Sequence, residues 1–224
     1  MKRLVVFDLD DTLYLERDYV RSGFRAVGEF VRRELGEGGF FKDAWNRFES
    51  GERDLIFDRI LKERGLELRL VRKLLAVYRR HTPNLRLCPD ARRFLARPPE
   101  GVALGVITDG RPRGQEEKVR ALGVDRLVGD IVITGRWGRR YQKPHPRAFL
   151  WMERRFGLSG SDCAYVGDNP AKDFQSPRAL GWNVWRLRRP GGLHAGAPSP
   201  GVPEIQSCDE LEARITSGAV SEPA

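Results

Sequence analysis

Two carboxylates one residue apart, Asp8 and Asp10, follow directly on the apolar run Leu4-Val5-Val6-Phe7. The run is short and ends in charge, which predicts a buried strand of an open sheet. Ligands of such sheets sit at the carboxyl ends of the strands. Like charges packed there need a counter-cation or a proton. The pair therefore suits three tasks: holding a divalent metal, attacking as a nucleophile and carrying a proton. Taken alone, the segment fits an acidic turn equally well, with Asp11 or Thr12 capping a helix.

Three later segments carry residues of related chemistry, two at strand ends and one at a helix start. Val106-Ile107-Thr108-Asp109-Gly110 predicts a strand closing on a small hydroxyl and a glycine. A hydroxyl with free backbone N–H groups can cradle phosphate oxygens. Lys143-Pro144-His145-Pro146 places a compact cation before a helix, fit to neutralise phosphate and acidic side chains. Val166-Gly167-Asp168-Asn169-Pro170-Ala171-Lys172-Asp173 places one aspartate at a strand end and another five residues later. Asp168 could ligate a hard cation through oxygen, and Asp173 could order water around it or bond Lys143. Each segment also has a plain reading: a strand-to-helix turn, an exposed lysine, an Asx-turn with an N-cap.

The elements that would position these residues change character along the chain. From Glu16 to Leu35 the period is helical, with Val20, Phe24, Val27, Val31 and Leu35 on one face. Phe41–Phe48, Leu55–Leu61 and Leu68–Tyr78 predict further helices, so the stretch to about residue 84 shows no strand signal. Strands and helices then alternate. The predicted strands are Val102–Ile107, Asp130–Thr134, Cys163–Val166 and Asn183–Leu187, with Ile205 at the far edge. The predicted helices are Pro89–Leu95, Gln115–Leu122, Pro144–Phe156, Asp173–Leu180 and Asp209–Ile215. Alternation argues for an α/β fold with a doubly wound, Rossmann-like parallel sheet and an inserted α-helical cap. The expected domains are a catalytic core at 1–14 and 85–216, a cap at 15–84 and a tail at 217–224. The Gly- and Pro-rich stretch 190–203 reads as a loop.

In this order, the four segments resemble the haloacid dehalogenase superfamily of aspartyl phosphotransferases. The helical block after the first motif resembles the subfamily I members with an α-helical (C1) cap, phosphatase type. The resemblance spans the chain and implies a magnesium-dependent phosphatase. Its partner would be a small phosphorylated metabolite: a sugar phosphate, a phosphoglycolate-like acid or a nucleotide. Asp8 would be the nucleophile that becomes an aspartyl phosphate. Asp10 would protonate the leaving alkoxide and then activate water. Thr108, with the backbone N–H groups of Asp109 and Gly110, would hold the phosphoryl oxygens, and Lys143 would offset charge. Mg2+ would be held by Asp8, the backbone carbonyl of Asp10, and Asp168, with Thr12, Asn169 and Asp173 supporting them from behind. Dehalogenases of the superfamily lack the second aspartate, so Asp10 argues against that chemistry. A phosphomutase uses the same aspartates and is a rival, as is a non-catalytic nucleic-acid- or protein-binding member.

Two departures stand out. Asp109 occupies a place where many relatives have asparagine, and Arg111 and Arg113 are expected to offset its charge. The segment Arg136–Arg140 is basic where relatives often carry acid. Among the aromatics of the helical block, Phe40, Phe41 and Trp45 are expected to pack within it, and Arg47 and Arg53 to lie at its surface.

Composition narrows the class. The chain has 224 residues, 40% of them apolar, which is enough to bury a full core. No apolar run reaches the roughly 18 residues of a membrane span, and the first strand is too short for a secretory signal. The three cysteines, Cys88, Cys163 and Cys208, are scattered and read as reduced thiols of a cytoplasmic protein. The formal charge is +9. With no nucleic-acid-binding signature, a solvated basic surface is favoured over a nucleic-acid surface.

Overall fold

The computed structural model describes residues 3–217. Of the tail read at 217–224, all but Ser217 lies outside the described residues. The chain falls into two compact units, residues 1–17 with 85–224 and residues 18–84.

The larger unit is built on β1 (Arg3–Phe7), β2 (Val102–Thr108), β3 (Asp130–Ile133), β4 (Cys163–Gly167), β5 (Asn183–Leu187) and β6 (Glu204–Ile205). They form one sheet in the order β3-β2-β1-β4-β5-β6, with every pair parallel. The apolar run that predicted a buried strand is the centre of the sheet, and Leu4, Val5, Val6 and Phe7 are at most 1% exposed. Successive side chains leave opposite faces. Leu4 and Val6 share a core with Phe149 and Met152 of α7 (Arg147–Phe156), while the Phe7 ring meets that of Phe94 in α5 (Pro89–Ala96). Beyond β1 the chain winds one way to β3 and the other way to β6. The crevice of such a sheet opens at this reversal, outside the carboxyl ends of β1, β2 and β4. All four sequence segments end there.

Most helices differ from their expected bounds by one to three residues at one end or both. α6 (Pro112–Leu122) begins three residues early because Pro112 occupies its first position, where a missing N–H is harmless. α7 begins three residues late. The residue before a proline is pushed out of the helical region, and His145 precedes Pro146. His145 instead closes a turn, donating its N–H to the Gln142 carbonyl at 2.9 Å. The Lys143–Pro144 bond is cis. α8 (Gln175–Ala179) is only five residues long, and Asp173 does not cap it. α9 (Cys208–Ser217) closes the unit.

The helical unit contains α1 (Glu16–Leu35) from Asp18 onward, α2 (Phe40–Glu49), α3 (Ile56–Glu63) and α4 (Val71–Arg80), the last preceded by a 3-10 turn, Leu68–Leu70. Its core gathers Phe24, Val27 and Val31 of α1 with Phe40, Phe48, Phe57, Ile60 and Leu74. Phe41 and Trp45 pack against this cluster, as expected. Arg47 pairs with Glu52 and Glu63, and Arg53 donates to the Phe48 carbonyl. α1 and α4 approach so closely that a Cβ on Gly23 would lie 2.5 Å from the Tyr78 ring. Among the described residues, no helix is long and apolar enough to cross a membrane, and none of the three cysteines forms a disulfide.

A buried fork ties the carboxyl end of the sheet to the helices. Arg189, just past β5, donates two hydrogen bonds to the Asp90 carboxylate, both 3.1 Å, and one to the Thr12 carbonyl at 2.6 Å. Asp90 also accepts the Cys208 N–H at 2.8 Å. Asp90 therefore makes no side-chain cap of α5 and joins α5 to α9 instead. Burial works against its charge, but Arg189 and the Cys208 N–H prevail and hold its pKa below the usual value. Removing one partner of a buried pair strands the other. We predict that Asp90→Ala lowers unfolding free energy by about 3–5 kcal/mol in urea titrations at neutral pH. A carboxyl with a depressed folded pKa stabilises above its unfolded pKa and loses this as pH falls through the folded one. The difference between wild type and variant should therefore shrink in acid.

Candidate active site

Asp8, the first residue past β1, is 2% exposed, and its N–H donates to the Val166 carbonyl of β4 at 2.8 Å. Lys143 reaches it from the opposite side. Its Nζ lies 2.7 Å from Asp8 Oδ1, 2.7 Å from Asp173 Oδ1 and 2.8 Å from the Tyr165 hydroxyl. Burial works against the lysine charge, but Asp173 and Asp8 outweigh it and hold its pKa well above the usual range. Both oxygens of Asp173 are used, because Oδ2 accepts the Asn169 N–H at 2.9 Å. Gly167 leaves room for that carboxylate: a Cβ there would sit 2.4 Å from Asp173 Oδ2.

Asp168 is 7% exposed, and its Oδ2 has no hydrogen-bond partner. Carboxylate oxygens of Asp8, Asp168 and Asp173 lie within 4.8 Å of one another. Burial, then the neighbouring Asp8 and Asp173, push the Asp168 carboxyl up to about 9. Burial lifts Asp8 to about 6 despite Lys143. An orphaned, all-oxygen, crowded set of carboxylates is what a hard divalent cation relieves. With Asp173 occupied by Lys143 and Asn169, the open oxygens belong to Asp8 and Asp168.

Asp10 stands apart from this cluster, on the α6 side. Its Oδ1 accepts from Lys118 Nζ at 2.6 Å and from the Tyr14 hydroxyl, and its Oδ2 accepts from Gln115 Nε2 at 2.9 Å. Burial opposes its charge, but Lys118 and these donors more than compensate, and its pKa is lowered. Glu16 lies in the same field, and burial followed by Asp10 raises its carboxyl to about 7.

Thr108 is fully buried at the end of β2. Asp109 does not load the site with unmatched charge. Its Oδ1 accepts from Thr134 Oγ1 at 2.6 Å and from the Lys143 N–H at 3.1 Å, and its Oδ2 faces Lys172 Nζ at 3.3 Å. Thr134, Lys172 and a backbone N–H do what was expected of Arg111 and Arg113, and they fasten the loop after β2 to the one carrying Lys143. Gly110, at φ 129°, lets that loop turn. A Cβ on Gly135 would meet the Gly110 carbonyl at 1.8 Å, so the two loops touch through backbone.

Of the remaining expected residues, Thr12 is buried with its carbonyl on Arg189 and its hydroxyl unpartnered. Asn169 uses its side chain on the Ala171 N–H and on His194 Nε2, at 3.0 Å each. Tyr14, Gln115, Lys118, Tyr165 and Lys172 were not anticipated. Two of them had a sequence signal: Gln115 and Lys118 fall on the same helical face as Val119 and Leu122, where polar residues are out of place.

The parallel sheet with an acidic crevice at its strand ends defines an α/β protein built to bind a ligand there. Residues 2–181 match the family model for haloacid dehalogenase-like hydrolases, and the chain belongs to that family. It is 28% identical over 220 residues to phosphoserine phosphatase of Thermus thermophilus, covering 82% of this chain and 88% of that protein. It is 30% identical over 202 residues to glyceraldehyde 3-phosphate phosphatase of Methanopyrus kandleri, covering 84% and 85%. Its fold is similar to that of the HAD-hydrolase YfnB from Bacillus subtilis bound to magnesium (TM-score 0.67, 22% identity, 94% and 96% covered). It is also similar to a HAD family hydrolase from Deinococcus radiodurans with bound phosphate and sodium (TM-score 0.69, 20% identity, 100% and 99% covered).

A carboxyl whose folded pKa is raised stabilises below its unfolded pKa and loses this as pH climbs through the folded one. For Asp8 and Asp168 that window runs from about pH 4 to about 9. In chelator, melting temperature should therefore fall more between pH 5 and pH 8.5 in wild type than in Asp168→Asn. Equal slopes in calorimetry would contradict the burial argument.

Proposed function

We propose that this chain is a phosphatase that hydrolyses a small phosphomonoester through a covalent aspartyl phosphate on Asp8. The observation that carries the reading is the Lys143 ammonium set between Asp8 and Asp173 at the carboxyl end of β1, with Asp168 alongside. The names of the curated relatives support it. Phosphoserine and glyceraldehyde 3-phosphate are both three-carbon phosphomonoesters, so a short-chain substrate is favoured over a nucleotide. In this reading the helical unit takes the part of the inserted cap.

Mg2+ fits the open oxygens, and Asp8, Asp168 and the backbone carbonyl of Asp10 would hold it. Once bound, it would supply positive charge that lets a carboxylate and a phosphate dianion approach. The chain's own residues do the rest. Asp8 attacks phosphorus with a carboxylate oxygen, and the bond to the substrate oxygen breaks. Asp10, which must first take up a proton against the pull of Lys118, gives it to that oxygen, so an alcohol leaves. Thr108 and the N–H groups of Asp109 and Gly110 hold the phosphoryl oxygens, while Lys143 offsets their charge. Asp10, now ionised, takes a proton from water as the water attacks phosphorus, which frees phosphate and restores Asp8.

Asp8→Asn should lower turnover of an aryl phosphate by about 10^4-fold or more while the protein keeps its circular dichroism spectrum. Turnover near the wild-type rate would remove the nucleophile assignment. Chelator should abolish activity and added magnesium restore it; full activity in chelator would contradict the role given to Asp168.

A further inference from the structure

Helix α6 turns Gln115 and Lys118 inward on one face, and both are buried, at 4% and 5% exposed. Burying a lysine and an amide in a helix is costly unless each is matched. Here both are matched to the residues proposed to do chemistry. The Gln115 amide nitrogen donates to Thr108 Oγ1 at 2.5 Å and to Asp10 Oδ2 at 2.9 Å. Lys118 donates to the other oxygen of Asp10 at 2.6 Å, alongside the Tyr14 hydroxyl. Donors on both oxygens fix the plane of the Asp10 carboxylate.

The hydrogen-bond polarity carries a second consequence. A threonine hydroxyl has one proton and two acceptor sites. Since Thr108 Oγ1 accepts from Gln115, its own proton must point elsewhere. The acceptor it is given, the Asp109 carbonyl, is 3.5 Å away, too far for a strong hydrogen bond. The proton is left available to a phosphoryl oxygen.

We infer that Lys118 and Gln115 are positioning residues for two separate parts of the reaction. Lys118 holds Asp10 where it meets the leaving oxygen. Gln115 aims the Thr108 proton at the phosphoryl group and links that contact to Asp10 through one amide. The inference rests on the phosphatase reading above and assigns the work of α6 within it.

The two roles separate when the leaving group is varied. With a covalent phosphoenzyme, kcat/KM reports only the steps up to transfer onto Asp8. An alkyl phosphate needs Asp10's proton in that step, and p-nitrophenyl phosphate scarcely does. Lys118→Met should lower kcat/KM for the alkyl ester by about 10^2-fold, the usual size of a general-acid contribution, and lower it far less for the aryl ester. Lys118→Arg should restore most of the alkyl-ester rate. Gln115→Leu should lower both rates and weaken competitive inhibition by inorganic phosphate, which Lys118→Met should leave unchanged. Should Lys118→Met fail to fold, Lys118→Gln carries the test with the same expected asymmetry. Equal losses on both esters, or phosphate inhibition unaltered by Gln115→Leu, would overturn the inference alone. Wild-type protein inactive on both esters would overturn the phosphatase reading and this one with it.

Discussion

An ammonium group sealed from solvent governs the site. The Lys143 side chain has no exposure, and its two carboxylate partners lie at 2.7 Å. At such distances attraction between unit charges is worth several kcal/mol even at an effective dielectric of about 20. That attraction offsets part of the cost of burying Asp8 and Asp173, although for Asp8 burial still prevails. The three residues and Tyr165 come from the end of β1, the loop before α7, β4 and the loop after it. They meet only when β1 sits between β2 and β4 in the observed register. Sheet topology and site electrostatics are thus one constraint seen from two sides.

The same rule repeats around the crevice. Asp10 has Lys118, Asp109 has Lys172, and Asp90 has Arg189. Asp11 is satisfied by the N–H groups of Glu16 and Leu193. Against that pattern Asp168 is the exception, with a buried oxygen that nothing donates to. Its backbone is nevertheless fixed, because the buried Arg186 holds its carbonyl at 3.1 Å while also gripping the carbonyls of His194 and Ala197 in the Gly- and Pro-rich loop. A held backbone under an unpartnered carboxylate supports the metal-ligand role proposed for Asp168 over a purely structural one.

Much of this was legible in the sequence. The run Leu4–Phe7 had to be a strand buried on both faces, and the helical period from Glu16 to Leu35 fell on the observed α1 without error. The four segments were readable because aspartate and threonine at strand ends, with a lysine before a helix, have few inert uses when they recur in order. Helix starts were less legible. Proline serves equally as a first helical residue and as the residue that ejects its predecessor from a helix, and Pro112 and Pro146 took those different parts. The supporting residues were least legible of all. Tyr165 looks like core, Lys172 like surface, and Lys118, despite its place on an apolar helical face, like one more cation in a chain of 40 Lys and Arg. Only the parallel packing of β1 beside β2 and β4, with α6 after β2, reveals what they face.

The central claim is that Asp8, poised by its buried lysine, forms a bond to phosphorus during turnover. Acid quenching of the enzyme in the presence of magnesium and a rapidly turned-over phosphate ester, followed by peptide mass mapping, tests this most directly. The account predicts a phosphoryl adduct on Asp8 that disappears when substrate is exhausted. An adduct confined to a different residue would contradict it.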